Sequence, residues 1–206
     1  MRQLSLALCL TLCAAGVAGA NFQGLNQVLT PDLQPVGNLS LAFQEQHQAI
    51  GSPSGTLLEL GVNRYLDLAV TQAFTPSQWS LGVETGFRRG QHLFAAGLAN
   101  WTWGPGGSAS PQPFVEYGYY GKWHEGVLGA LWADGTPETI LGYAYNVSPR
   151  LQLIADWQSG AENFSTVGDQ CNFTPNLYLS TSLWHENAAP HRTFPFSFLC
   201  WTVKVF

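Results

Sequence analysis

The sequence predicts an all-β fold, a closed antiparallel up-and-down transmembrane β-barrel of about 12 strands, with 10 as the second choice. Three observations predict it. Only 10% of the 206 residues are charged, whereas soluble domains carry about 25%. Apolar and polar residues alternate in segments of about ten residues that end at Gly, Pro, Asn or Ser. The charges inside these segments avoid the face that carries Leu, Val and Trp.

The N-terminus has the pattern of an export signal. Arg2 precedes an apolar stretch from Leu4 to Val17, and Ala18-Gly19-Ala20 offers a small-residue cleavage site. We therefore assign residues 1–20 to a signal peptide, 21–37 to a lead-in and 38–206 to the barrel domain.

Alternation along the mature chain predicts the strands in order. The period of two is clearest in Leu39, Leu41 and Phe43, and weakest in segments 91–103, 125–133 and 162–172. The predicted strands are 38–47, 55–63, 66–74, 78–88, 91–103, 112–122, 125–133, 137–147, 150–158, 162–172, 176–186 and 194–206.

One turn motif recurs between predicted strands. The stretch from Asn146 to Leu153 has the same pattern as that from Asn172 to Leu179, and Asn63 to Leu68 is a looser version. Asn, Ser and Thr side chains bond nearby backbone groups, and Pro presets φ for a turn. The repeating unit is therefore a hairpin.

Charges inside the strands indicate which face meets lipid. Six of them lie out of phase with the apolar face of their own strand: Glu59, Asp67, Glu84, Glu116, Asp156 and Lys204. A basic side chain facing mid-bilayer costs about 2–4 kcal/mol, and an acid less. The apolar face is therefore expected outside, and closure follows because an open sheet edge in lipid leaves backbone groups without partners.

This pattern resembles the bacterial outer-membrane β-barrels: an export signal, an even number of alternating segments, aromatic strand ends, short turns on one side and the terminal Phe206. The resemblance implies a location in the bacterial outer membrane, a lead-in over 21–37 in the periplasm, and a monomer. It also implies three partners: the lipid bilayer, the barrel-assembly machinery and small solutes. Without a basic run, no nucleic-acid partner is expected.

Two sets of residues are candidate site residues under this interpretation. The first would line the lumen: Glu59, Asp67, Glu84, Arg88, Glu116, Lys122 and Asp156. The second would lie at the membrane interfaces as aromatic anchors: Trp79, Trp101, Trp103, Trp123, Trp157, Trp184 and Trp201.

The charges between strands fall on two sides. Turns on the periplasmic side would carry Arg64, Arg88, Arg89, Lys122 and Arg150, and the opposite connections would carry Asp134, Glu138, Glu162 and Glu186. Glu125 and Arg192 break this pattern. Because few charges are involved, chance placement is the competing interpretation.

No residue in the chain is a convincing catalyst, and neither a metal site nor a cofactor is expected. The histidines lack metal-ligand spacing, and no G-x-S-x-G motif is present. Trp-His-Glu occurs at 123–125 and 184–186, which the predicted topology puts at opposite ends of the barrel. An outer-membrane lipid hydrolase, acting on lipid A or phospholipid acyl chains, remains an alternative, with Ser80 and His92 as a pair the sequence cannot place.

Two functions remain open for a barrel of this size. Eight-stranded barrels are filled by side chains and sixteen-stranded barrels hold an aqueous channel. The chain is therefore either a narrow, weakly cation-favouring channel for small solutes or a structural barrel without transport. The competing class is a secreted soluble β-sandwich that binds carbohydrate through exposed Trp and Tyr. Cys171 and Cys200 either pair or remain thiols.

Overall fold

The computed structural model describes residues 25–49, 52–105 and 108–206, so the predicted signal peptide lies outside the described residues. Among the described residues, no helix is long and apolar enough to cross a bilayer. The strands are β1 (Asn38–Gln46), β2 (Ser54–Asn63), β3 (Leu66–Phe74), β4 (Ser77–Arg89), β5 (His92–Trp103), β6 (Gln112–Tyr120), β7 (His124–Ala133), β8 (Thr136–Ser148), β9 (Leu151–Gln158), β10 (Phe164–Thr174), β11 (Leu177–Glu186) and β12 (Thr193–Lys204).

One antiparallel sheet closes on itself. Each strand pairs with its neighbours in sequence, and β1 pairs with β12 from Asn38 opposite Lys204 to Gln46 opposite Phe196. The predicted closed barrel of 12 strands is confirmed, and the predicted strand limits lie within two residues of the observed ones. The competing β-sandwich is wrong, because no second sheet is present among the described residues.

The recurring turn motif forms the same irregularity in each of its three copies. The register shifts where Ser148 faces Leu151, where Thr174 faces Leu177 and where Asn63 faces Leu66. In the first copy, the backbone N–H of Leu151 donates to the Ser148 Oγ at 3.1 Å. The shared pattern therefore encodes a bulged hairpin, as the local chemistry of Asn, Ser and Thr suggests.

The faces of the sheet are as the alternation predicts. Outward side chains are apolar and exposed, as in Leu128 (54% exposed) and Leu183 (52%). The strand acids point inward and are buried, and Glu59 is only 1% exposed. An exterior of this kind suits hydrocarbon, because it leaves lipid in contact with apolar groups.

The two ends of the barrel differ in their connections. We call the end with the start of β1 and the end of β12 the terminal rim; its turns join β2 to β3, β4 to β5, β6 to β7, β8 to β9 and β10 to β11. The other end, with the remaining connections, is the opposite rim. As the sequence predicts, basic residues collect at the terminal rim and acidic residues at the opposite rim. At the opposite rim, Arg192 forms a 2.7 Å ion pair with Glu186, and this carboxylate raises the pKa of the Arg192 guanidinium.

Residues 25–37 differ from the periplasmic lead-in that the sequence predicts over 21–37. They run inside the barrel as far as Gln34, become exposed at Pro35 and Val36, and are called the internal segment here. Leu25 and Val28 are buried with strand residues, and Gly37 bonds β2 through its N–H to the Gly61 carbonyl at 2.8 Å. The physical reason is that the inward face of the sheet offers this segment apolar contacts and hydrogen-bond acceptors. Without the segment, water would have to occupy this space.

Candidate functional site

The barrel interior has three walls of different chemistry. The acidic wall consists of inward carboxylates on β2, β3, β4 and β6: Glu59, Asp67, Glu84 and Glu116. Asp67 and Glu84 are directly opposite each other on β3 and β4. Like charges placed opposite each other across a strand pair repel. The acidic wall therefore brings four carboxyl groups together in one region of the interior.

The aliphatic wall is covered by the internal segment. Leu25 and Val28 pack against inward residues of β5 to β9, including Ile140, Ala144 and Ile154. Gly142 lies under this contact: a Cβ at that position would meet the Leu25 Cδ1, and would lie 3.2 Å from the Val28 Cγ2. Glycine in β8 therefore leaves room for the Leu25 side chain to lie against the wall in this position.

The aromatic wall is formed by inward residues of β10, β11 and β12. The Trp184 ring is 5.0 Å from that of Phe196 and 5.3 Å from that of Phe164, and the Tyr178 ring is 5.6 Å from that of Phe198. The indole N–H of Trp184 donates to the Ser182 Oγ at 2.9 Å. These rings build a rigid apolar surface inside the lumen.

Two interior aspartates hold the internal segment. The Asp156 Oδ2 accepts the backbone N–H groups of Asn26 at 2.6 Å and Gln27 at 3.0 Å, and its Oδ1 accepts the Thr166 hydroxyl at 2.6 Å. Nearer the terminal rim, the Asp67 carboxylate accepts the backbone N–H of Gln34. Charged acceptors make stronger hydrogen bonds than neutral ones. The internal segment is therefore anchored at both ends.

The space left in the lumen includes two cavities of useful size. One, of about 480 Å³, is called the vestibule; residues 25–29 line it together with Glu59, Gln46 and the Trp184, Phe196 and Phe198 rings of the aromatic wall. A second cavity of about 350 Å³ lies at the terminal rim beside Glu125 and Gln152. The internal segment lines the first cavity and packs against the inner wall of the barrel.

The buried charged side chains of the barrel interior are acidic in the part of the chain that the structure describes. Among the residues that the structure describes, none of the buried polar or charged side chains is a lysine or an arginine. Within the same residues, both carboxylate oxygens of Glu116 and the Oε1 of Glu84 are buried without a hydrogen-bond partner. A buried charge without a partner is costly, so these carboxylates favour cations or protons in the lumen.

The two basic residues expected in the lumen lie at the terminal rim instead. Arg88 is exposed at the end of β4, where its Nε donates to the Gly90 carbonyl at 2.9 Å. Lys122 is exposed in the turn before β7, and its Nζ is 4.8 Å from the centre of the Trp123 ring. Basic side chains reach water at the rim more cheaply than inside the barrel. Asp156, in contrast, lies deep in the lumen.

Most tryptophans lie on the outer surface near the strand ends. Trp79, Trp101, Trp103 and Trp157 are exposed towards the opposite rim, and Trp123 and Trp201 towards the terminal rim. Trp184 differs from the predicted interfacial position, because it is 9% exposed and belongs to the aromatic wall. It shares the inward phase of Tyr178, Ser180 and Ser182 in β11. Trp132, which the sequence reasoning omitted, is 36% exposed near the opposite rim.

Two acids on the outer face were missed by the sequence reasoning. Asp169 pairs with Thr181, which pairs with Ser197, which pairs with Glu45, and together they form a polar row on the lipid-facing side. The Thr181 hydroxyl donates to the Asp169 Oδ1 at 2.7 Å. The signal was available, since Asp169 is in phase with the exposed Val167, but weak alternation in 162–172 obscured it.

The candidate catalytic and metal-binding groups are separated. Ser80 pairs with Thr102 and His92 with Arg89, so the two lie about nine residues, or about 30 Å, apart along β4. The two Trp-His-Glu motifs lie at opposite rims. Over the described residues, no group of three His, Cys, Asp or Glu side chains is placed to hold a metal ion. Cys171 and Cys200 are both buried as thiols.

The fold is similar to solved porins. A NanC porin structure aligns with a TM-score of 0.57 at 9% identity, covering 82% of this chain and 100% of that one. A KdgM porin in complex with disordered oligogalacturonate aligns with a TM-score of 0.56 at 10% identity, covering 80% and 98%. Neither a protein-family model nor a curated protein matches the chain.

This chain is an outer-membrane β-barrel in fold. The predicted resemblance to outer-membrane β-barrels is thereby confirmed at the level of the fold. At identities near 10% the likeness concerns architecture, so the function has to be argued from this chain's own interior.

Proposed function

We propose that the protein is a narrow channel for small solutes that favours cations, and that its internal segment restricts the passage. The observation that carries this proposal is the acidic wall: buried carboxylates on β2, β3, β4 and β6 with no basic side chain buried among the described residues. A low-dielectric wall strengthens the field of these charges, so cations are attracted and anions repelled.

The charges at the rims support the same preference for cations. Glu138, Glu162 and Glu186 lie at or next to the opposite rim, on which the vestibule opens. Acids lining an entrance raise the local concentration of cations. Cations would therefore enter from the opposite rim and meet Glu59 at the base of the vestibule.

The charges of the interior disfavour an acidic substrate. The KdgM porin was crystallised with oligogalacturonate, a chain of acidic sugars. Binding such an anion requires basic side chains along its path, and the basic residues of this chain lie at its rims and turns. We propose that this channel differs from KdgM in solute charge while sharing its fold. It acts as a monomer without catalytic activity, inserted into the membrane by the barrel-assembly machinery.

Planar-bilayer recording tests the proposal. Purified protein in a bilayer with a KCl gradient should give small conductance steps whose reversal potential shifts towards that of K⁺. The triple variant Glu59→Gln, Glu84→Gln and Glu116→Gln should lose this shift while still forming channels. Asp134→Asn, in the exposed turn between β7 and β8, is the matched control and should retain it. Unchanged selectivity in the triple variant would contradict the assignment of the acidic wall.

A structural barrel without transport is the second candidate, and the internal segment is the observation that favours it. Residues 25–34 lie inside the lumen, anchored by Asp156 and Asp67. If the wild-type protein gives no conductance, deleting residues 25–34 decides between the two: conductance after deletion indicates a closed channel, and silence in a protein that still migrates as a folded barrel indicates a structural role.

A further inference from the structure

We propose that the vestibule binds small organic cations, in which an ammonium group is joined to an apolar body about the size of one aromatic ring. This deepens the proposed channel function, and as a statement about the transported solute it rests on that function. It is carried by the juxtaposition of a buried carboxylate and an aromatic surface in one cavity.

The cavity has the size of a ligand site. Its volume of about 480 Å³ lies within the range of about 300–1,000 Å³ for small-molecule pockets. Residues 25–29 of the internal segment line one side of it. A molecule entering from the opposite rim is therefore held in a cavity rather than passing directly through a pore.

The position of Glu59 gives the site its charge preference. This residue is 1% exposed and lines the vestibule from β2. It is opposite Ser40 on β1, and Ser40 is opposite Thr202 on β12, so two hydroxyl-bearing residues share its row of the sheet. A buried carboxylate gains most from a cation that donates hydrogen bonds, as an ammonium group does.

The aromatic wall gives the site its preference for an apolar body. Trp184, Phe196 and Phe198 line the vestibule, and each is inward-facing and 9% exposed. Phe198 is opposite Gln44 on β1, and Gln44 is opposite Gly55 on β2, so the rings lie nearer the opposite rim than Glu59 does. A ring on the ligand would stack on this wall, and the rings would also attract its charge.

Neither feature alone specifies this ligand class. A carboxylate by itself would serve an inorganic cation, and no group of three ligating side chains for a metal ion occurs among the described residues. An aromatic wall by itself would serve a neutral sugar or an alcohol. Their combination selects a molecule that carries both a positive charge and an apolar surface.

Calorimetric titration of the complete mature protein in lipid nanodiscs tests the inference, with empty nanodiscs subtracted. The probe is 4-phenylbutylammonium, compared with neutral 4-phenylbutanol and anionic 4-phenylbutyrate. We expect the ammonium compound to bind at least about tenfold more tightly than the alcohol, because it adds a charge-assisted hydrogen bond, and the anion not to bind. Equal affinity for ammonium compound and alcohol would overturn the inference without any variant.

Two variants locate the site. Glu59→Gln should remove the preference for ammonium over alcohol, whereas Phe198→Leu should weaken both compounds. Glu125→Gln, whose carboxylate lies at the terminal-rim cavity and outside the vestibule, is the control and should change neither. Binding that is unaffected by both Glu59→Gln and Phe198→Leu would contradict the assignment to the vestibule. Migration before and after boiling shows whether each variant is a folded barrel.

The experiments distinguish a failure of the proposed channel function from a failure of the proposed ligand class. If the bilayer recordings show K⁺ selectivity while 4-phenylbutylammonium does not bind, the channel stands and the ligand class falls. If the probe binds in the vestibule while neither the wild type nor the deletion of residues 25–34 conducts, the binding site stands and the transport function falls.

Discussion

The backbone N–H of Asn26 donates to the carboxylate of Asp156 at 2.6 Å, although 130 residues separate the two in the chain. The Gln27 N–H and the Thr166 hydroxyl donate to the same carboxylate. A charge in the middle of β9 thus holds the start of the internal segment. This contact holds the residues that line one side of the vestibule.

Replacing this carboxylate should destabilise the barrel. Asp156→Val leaves two backbone N–H groups and a hydroxyl without their acceptor, and each buried donor left unpaired costs about 1–3 kcal/mol. We expect a loss of at least about 2 kcal/mol in the free energy of unfolding, measured by urea titration in vesicles with tryptophan fluorescence as the signal. Unchanged stability would show that the internal segment is not held by Asp156.

The same type of substitution on the outer face should change the free energy of unfolding in the opposite direction. Asp169→Val removes a carboxylate that faces lipid. A basic residue facing mid-bilayer costs about 2–4 kcal/mol, and an acidic residue costs less. The Thr181 hydroxyl, which donates to this carboxylate, loses an acceptor. We expect the unfolding free energy to rise by about 1 kcal/mol in the same titration. A loss as large as that of Asp156→Val would mean that the Asp169 side chain is not in contact with hydrocarbon.

A single methyl group should loosen the internal segment. In Gly142→Ala the new Cβ meets Leu25, so the segment has to move away from the aliphatic wall. Hydrogen–deuterium exchange of the amides in residues 25–34 should become faster. The matched control is Gly126→Ala, since nothing lies within 4 Å of a Cβ at Gly126. Faster exchange in the control, or none in Gly142→Ala, would contradict this packing.

Two interior glutamates should respond in opposite ways to neutralisation. Glu116→Gln removes a buried charge whose oxygens lack partners among the described residues, so stability should rise while cation selectivity falls. Glu138 accepts the amide groups of Gln158 at 2.6 Å and Asn163 at 2.9 Å. Glu138→Gln replaces one acceptor oxygen by a donor and should lower stability by about 1–3 kcal/mol. Urea titration and reversal potentials measure the two effects, and a loss of stability in Glu116→Gln would sink the first expectation.

The internal segment explains two of the weak alternations in the sequence. Strands β5 and β7 carry apolar residues on both faces: Leu98 and Leu128 face outward, while Ala99, Val127 and Leu131 face inward towards the aliphatic wall. A lumen filled with water would favour polar residues at the inward positions. Because Leu25 and Val28 cover them, the inward face can be apolar, and the period of two disappears from the sequence.

The sequence by itself determined the number of strands, their limits and the face that meets lipid. These properties depend on local turn chemistry and on a period of two, which neighbouring residues carry, as in Leu39, Leu41 and Phe43. The placement of residues 25–37, the inward position of Trp184 and the outward position of Asp169 were decided only in the tertiary structure. The reason is that each depends on partners that closure of the barrel brings close from distant parts of the chain, as it does Asp156 and Asn26.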